Sequence, residues 1–191
     1  MQIQNIFVIG AGQMGTGIVQ SALMAGYTVT MRDITEEIVK KGEQRITKNL
    51  EKLVQKGKLT LEEVTEMKSK LFCTTELSYA ANADLVIEAA IENIDIKTDI
   101  FKQLEKITKP ETIFATNTSS ISITEIAAVT QKPEKVIGMH FFNPVPVMKL
   151  LEVTKGYLTS QQTVDAILSV GNNMKKVTIV ALDKPGFIVN R

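Results

Sequence analysis

Short apolar runs alternate with longer amphipathic or charged stretches along the chain, the pattern of a parallel sheet covered by helices on both faces. Residues 6–9, 28–31, 70–73, 85–90, 113–116, 136–139, 148–151 and 177–180 are the strand-like runs. Residues 18–24 read as a helix ending before Gly26, and residues 36–70 form a charged segment with no strand in it. Thr60 followed by Glu63 is a capping box, which divides that segment into two antiparallel helices around Gly57-Lys58. Apolar Ile96, Ile100, Leu104 and Ile107 mark a helix over 95–108, stopped by Pro110. Ser160 caps a further helix running to about Met174. No internal repeat, low-complexity stretch or interior linker interrupts the series.

Between the first strand and the first helix lies Gly10-Ala11-Gly12-Gln13-Met14-Gly15, with a further Gly17. Glycines also fill ordinary turns, so the spacing alone says little. Here a strand precedes it, a helix follows, and the second strand ends at Asp33, near the roughly 20-residue offset of a ribose-binding acid. Gly10 permits a tight turn, Gly12 lets the backbone approach a pyrophosphate, and Gly15 lets helix pack on strand. Ala11, Gln13 and Met14 complete the phosphate-facing turn, at the positive end of the helix. Asp33 would accept the ribose hydroxyls and repel a 2′-phosphate, which favours NAD over NADP. Arg32 beside it could hold that phosphate, so the choice stays open on these residues alone.

The chain has 191 residues, 44% of them hydrophobic, and a formal net charge of +1. That length suits one large domain or a domain and a half. The near-neutral charge points to neither nucleic acid nor a membrane surface, and no apolar run approaches the roughly 18 residues of a membrane helix. Cys73 is the only cysteine, which excludes an internal disulfide and a cysteine-based metal cluster, and no metal site is expected. The first strand begins almost at Met1, so the reading is a cytoplasmic chain without a targeting peptide.

His140, the only histidine, ends the apolar run 136–139, and Glu152 closes the next strand-like run. A lone histidine is more often structural than catalytic. A carboxylate able to orient it, beside a hydride acceptor, makes acid–base chemistry a coherent alternative. Ligands in such sheets bind beyond the strand carboxyl ends, where Gly10, Asp33, Glu88, Ser119 and His140 fall. Lys41, Arg45, Lys48, Lys52 and Lys56 share one helix face. Like charges so spaced cost about 0.2–0.5 kcal/mol per pair, which an anionic partner would offset, although a solvated face is the simpler account of Lys41 and Arg45. Ile46, Leu50 and Leu53 occupy another face as packing residues.

From the Gly-rich turn to Pro185-Gly186-Phe187-Ile188-Val189-Asn190-Arg191, the chain resembles the NAD-binding domain of the L-3-hydroxyacyl-CoA dehydrogenases, and most closely their bacterial 3-hydroxybutyryl-CoA branch. Asn117-Thr118-Ser119-Ser120, His140 to Pro146 with Met148-Lys149-Leu150, and the closing segment carry the resemblance. It implies a Rossmann-type doubly wound α/β fold, mainly parallel, with a helix pair inserted between strands two and three. It implies NAD-dependent interconversion of (S)-3-hydroxyacyl-CoA and 3-ketoacyl-CoA in fatty acid metabolism, with His140 as base and Glu152 as its partner. Ser119 matches a hydroxyl touching substrate and cofactor, and Asn143 and Asn190 match amides lining the same cleft. Glu92 and Lys97 match cofactor contacts, and Asn49 and Lys56 match coenzyme A contacts. The implied boundaries are a dinucleotide-binding domain over 1–185 and, at 186–191, the start of a connection to a helical domain. Through that domain, absent here, the family closes its cleft and forms a homodimer. The expectation for this chain alone is NADH binding with turnover at least about 10²-fold below an extended enzyme. Two other readings are a stand-alone NAD-binding module without turnover, and a nucleic-acid binder using the lysine stripe. The near-neutral charge and the lack of a base-stacking aromatic cluster argue against the latter.

Overall fold

Side chains alternate across the first strand, β1 (Asn5–Ile9): Ile6 and Val8 join one apolar cluster, Phe7 and Ile9 another. A strand buried on both faces requires cover on both, and the helices supply it. The computed structural model describes residues 2–184 together with Phe187 and Ile188. After β1 come α1 (Gln13–Met24), β2 (Thr28–Arg32), α2 (Glu36–Gln55), α3 (Leu61–Ser69) and β3 (Leu71–Thr74). Then follow β4 (Leu85–Glu88), α4 (Ile94–Ile107), β5 (Ile113–Thr116), α5 (Ile123–Ala127) and β6 (Val136–Phe141). The series closes with β7 (Leu150–Lys155), α6 (Gln161–Asn173) and β8 (Val177–Leu182). The sheet order is β3-β2-β1-β4-β5-β6-β7-β8, parallel throughout except for β6 against β7. Helices α1, α2, α3 and α6 pack through Ile18, Ile46, Val64 and Ile167 on one face. Helices α4 and α5 cover the other through Phe101, Leu104 and Ile126. Strand order reverses between β1 and β4, the crevice where doubly wound folds bind ligands.

The inserted pair forms as the sequence indicates. Thr60 and Glu63 make the reciprocal capping bonds that start α3, and Gly57, at φ +64°, stands between the two helices. Several boundaries differ from expectation, and one helix was not foreseen. The first helix begins at Gln13 rather than residue 18, because Gly12 is extended and its carbonyl accepts from Thr16, which sets the helix directly on the turn. The fourth strand ends at Glu88, releasing Ala89 and Ala90 to the loop. The seventh runs through Lys155, so Glu152 stands inside it; Glu152 and Thr154 are buried polar residues that mask its second half from a hydropathy reading. Helix α5 gives no apolar run long enough to notice. Ser122 caps it, and the distant Asp183 accepts from the Ser122 hydroxyl (2.7 Å) and the N–H groups of Ile123 (3.0 Å) and Thr124 (2.8 Å).

Candidate active site

The Gly-rich turn links β1 to α1 beside the β1–β4 crevice. Gly10 has φ +107°, and a Cβ there would stand 2.5 Å from the Ala89 carbonyl oxygen. A Cβ on Gly15 would stand 1.7 Å from the Gly10 carbonyl oxygen, so helix and turn touch through backbone alone. Gly12 differs. Its φ is an ordinary −74°, and an added Cβ would meet nothing within 4 Å. The protein's own packing does not require glycine there, whereas a ligand approaching the backbone would. Helix α1 has no side-chain cap and no acidic residue in its first turn, which leaves its N-terminus able to receive an anion. These residues fit the pyrophosphate of a dinucleotide. Asp33 closes the turn by accepting from Ala11 N–H and Ile34 N–H, both at 2.7 Å. Arg32 donates from Nε to the Thr75 carbonyl at 2.9 Å, which anchors its guanidinium toward the β3 edge.

His140 and Glu152 face each other directly across the antiparallel β6–β7 pair. Directly opposed residues project to the same face, and His140 Nδ1 lies 2.5 Å from Glu152 Oε2. Glu152 is fully buried, and its other oxygen accepts from the Ile188 N–H at 3.1 Å. His140 is 7% exposed, with the Phe142 ring centroid 4.4 Å from its imidazole and that of Phe187 at 6.1 Å. Nδ1 is engaged, and Nε2 has no partner among the described residues. Asn117 accepts from the Phe141 N–H at 2.9 Å and so ties the end of β5 to the end of β6.

The loops after β4 and β5 meet at Glu92. Its Oε1 accepts from the Thr118 hydroxyl and from the Ser119 N–H (3.0 Å), with the Ser119 and Ser120 hydroxyls each at 3.4 Å. Burial alone would push the Glu92 carboxyl up, but the Thr118 hydroxyl, the Lys97 charge and the Ser119 N–H outweigh it and hold the group below its ordinary value. Lys97 is 1% exposed; its Nζ is bound to both oxygens of Glu88, at 2.8 and 2.9 Å, and lies 3.4 Å from Glu92 Oε2. Lys97, matched in the sequence to a cofactor contact, is thus enclosed between Glu88 and Glu92, and Glu92 is the half-exposed member of the three.

A groove of about 470 Å³ runs between the turn, α2 and the β6–β7 connection, with Gly12, Gln13, Arg45, Asn49, Asn143 and Val145 among its walls. Gln13 donates to the Asn143 side chain at 3.1 Å, and Asn49 donates to Gln20 at 3.2 Å. Lys176 donates from Nζ to the carbonyls of Val145 (2.5 Å) and Met148 (2.8 Å) and pins the connection. Lys56, the C-cap residue of α2, lies two turns beyond Asn49 on the same face, outside this groove. Among the described residues there is no cluster able to hold a metal and no helix long and apolar enough to cross a membrane.

The family model for the 3-hydroxyacyl-CoA dehydrogenase NAD-binding domain matches residues 5–184. The chain belongs to this family. The domain is 48% identical to a probable 3-hydroxybutyryl-CoA dehydrogenase of Bacillus subtilis, over 100% of this chain and 67% of that protein. It is 47% identical to the 3-hydroxybutyryl-CoA dehydrogenase of Clostridioides difficile, over 98% of this chain and 66% of that protein. A crystal structure of (S)-3-hydroxybutyryl-CoA dehydrogenase from Ralstonia eutropha superposes with a TM-score of 0.97 at 42% identity, covering 100% of this chain and 67% of that one. The chain thus spans about two thirds of the length of the curated relatives it matches.

Within this dehydrogenase-family domain, the site residues read from the sequence fall into two groups. Gly10, Ala11, Gly12, Gln13, Met14, Gly15 and Asp33 form the turn, while Glu92, Ser119, His140 and Glu152 lie beyond or near the carboxyl ends of β4, β5 and β6. Asn143 bridges the groups through Gln13. Asn190 lies outside the described residues, as do most of residues 186–191. Sequence reasoning missed Arg45 as a groove residue, having left it on a solvated face. It also missed Lys176 and gave Asn117 no role beyond its place in the 117–120 motif. Arg45 carried a signal in its step of four before Asn49 on α2, and Lys176 carried none.

Proposed function

We propose that the chain is the cofactor-binding and acid–base part of an NAD-dependent enzyme that interconverts (S)-3-hydroxyacyl-CoA, in particular 3-hydroxybutyryl-CoA, and the corresponding 3-ketoacyl-CoA. The observation that supports this reading is the buried His140–Glu152 pair, with His140 near the carboxyl end of β6, together with a turn at the carboxyl end of β1 whose Gly12 opens onto free space. Bound NAD supplies the hydride acceptor. Glu152, as carboxylate, accepts from His140 Nδ1–H, which fixes the tautomer with a lone pair on Nε2. Nε2 takes the substrate hydroxyl proton during oxidation and returns it during reduction, and Glu152 stabilises the intervening imidazolium without being protonated. Phe142 and Phe187 limit water around the ring. Ser119 contributes its hydroxyl at the substrate oxygen, and Asn143 and Asn190 line the cleft as neutral donors. Asn49, Lys56 and Arg45, on or just past α2, face the coenzyme A phosphates. Residues 1–185 act as the dinucleotide domain, and 186–191 lead to a helical domain that completes the cleft and the homodimer. The single unpaired Cys73 suits a reducing cytoplasm, and the proposed acyl-CoA substrate suits a place in fatty acid metabolism.

The test is acetoacetyl-CoA-dependent NADH oxidation by this chain extended through the C-terminal helical domain of a relative. Turnover that requires both His140 and acetoacetyl-CoA is expected. NADH binding without any such turnover in the extended enzyme would refute the proposal.

A further inference from the structure

Glu88, the last residue of β4, is fully buried, and acid–base chemistry at His140 gives it no task. Its two oxygens are shared by three donor groups: Lys97 Nζ on both, the Ala90 N–H at 2.7 Å and the Thr116 hydroxyl at 2.6 Å. Desolvation offsets most of what such a buried ion pair contributes to stability, so the pair is better examined for what it holds in place. Two routes lead outward from it. Lys97 Nζ reaches Glu92 Oε2, and the other Glu92 oxygen collects Thr118, Ser119 and Ser120. Thr116 accepts from the Thr118 N–H at 3.4 Å. Both routes end on the same loop.

We propose that Glu88 is a positioning residue for the cofactor cleft, fixing the 118–120 loop through Lys97 and Glu92 and through Thr116 so that Ser119 is held at the carboxyl end of β5. The placing of Ser119 in the cleft rests on the function proposed above, whereas the relay rests on contacts internal to this chain. Lys97 carries one positive charge between two carboxylates and is sealed from solvent, so it has no other place to go. Neutralising Glu88 leaves Lys97 with Glu92 and the Ala90 carbonyl (3.5 Å) and draws Glu92 inward, away from the hydroxyls and the N–H it now gathers, and removing Lys97 as well leaves Glu92 without its cationic anchor.

The experiment uses amide hydrogen exchange at Ser119, calorimetric NADH titration and thermal unfolding, all on this chain. Glu88→Gln keeps the shape and removes the charge. Glu88→Gln with Lys97→Met removes both charges, a replacement that buried pairs often tolerate. In the double variant the thermal midpoint should stay near that of the unaltered chain. Its Ser119 amide should exchange about tenfold faster or more, the equivalent of losing one hydrogen bond to a charged group, and NADH should bind about tenfold more weakly. A folded double variant with unchanged Ser119 protection overturns the relay, and faster exchange with unchanged NADH affinity overturns the positioning role. If neither buried variant folds, Glu92→Gln on the half-exposed end decides: Ser119 must lose the same protection, and retained protection overturns the proposal. An unaltered chain that binds no NADH would instead refute the dehydrogenase reading, because the exchange measurement needs no cofactor.

Discussion

Replacing Gly12 with alanine should separate cofactor binding from folding, and replacing Gly15 should do the reverse. At Gly12 the new methyl meets nothing within 4 Å and φ is −74°, so no atom must move. Alanine is the poorer helix N-cap by about 1 kcal/mol, but it also removes about 0.4–1 kcal/mol of unfolded-chain entropy, and the two nearly cancel. The stability of Gly12→Ala should therefore lie within about 1 kcal/mol of the unaltered chain. Its methyl fills the space through which a pyrophosphate reaches the backbone. Losing one charge-assisted hydrogen bond there weakens NADH by about 10–10²-fold. At Gly15 the methyl would lie 1.7 Å from the Gly10 carbonyl oxygen, backbone against helix, and neither side can rotate away. Overpacking of that kind costs about 3 kcal/mol or more. In a domain of this size that lowers the unfolding midpoint by about 6–12 °C. Thermal unfolding and calorimetric titration of NADH on the two variants give both quantities. Full NADH affinity in Gly12→Ala, or an unchanged midpoint in Gly15→Ala, would refute the reasoning.

Asp33 should make NADH bind more tightly than NADPH. Asp33→Ala should narrow that gap while also weakening NADH, since Ala11 N–H loses its acceptor; equal affinities in the unaltered chain would end the assignment. In the extended enzyme, His140→Gln should keep NADH binding and lower turnover by about 10²–10⁴-fold. Glu152→Gln should also lower turnover, and near-normal rates in either, with chemistry limiting, count against the dyad. Burial would raise the Asp183 carboxyl, but the Thr124 and Ser122 hydroxyls and two N–H groups hold it below its ordinary 3.8. Its stabilisation is complete above that value and is lost as pH falls through the lowered folded value. Asp183→Asn should therefore flatten the stability-versus-pH curve on the acid side of 3.8, and an unchanged slope there would show that the carboxylate contributes nothing.

The strand-and-helix order was legible because β1, β4, β5 and β6 are apolar on both faces and interrupted by helix-length polar stretches. The Gly-rich turn and Asp33 were legible because their spacing is local. Helix α4 shows where such reading stops. Its sequence stripe is Ile96, Ile100, Leu104 and Ile107, but the buried face is Lys97, Phe101 and Leu104, and Ile96 is 38% exposed. A helical lysine paired with a carboxylate from a neighbouring strand looks like a surface residue to any hydropathy pattern. Glu152 was found as a residue and misplaced within its strand for a related reason, since its burial depends on His140 and the Ile188 N–H. Arg45 needed the β6–β7 connection in place before it could be seen to face a groove.

The direct pairing of His140 with Glu152 makes the proposed acid–base pair a property of strand register rather than of loop shape. A residue added among Pro144 to Met148 lengthens the connection and leaves the two side chains opposed. A residue added to β7 between Leu150 and Glu152 without a bulge turns the carboxylate to the other face of the sheet. The connection that walls the groove is held by Lys176 and by the Gln13–Asn143 bond, so a change of its length bears on the groove, while a change within either six-residue strand bears on the pairing. Tolerance to insertion, mapped residue by residue from Val136 to Lys155, should trace the boundary between recognition and chemistry in this fold.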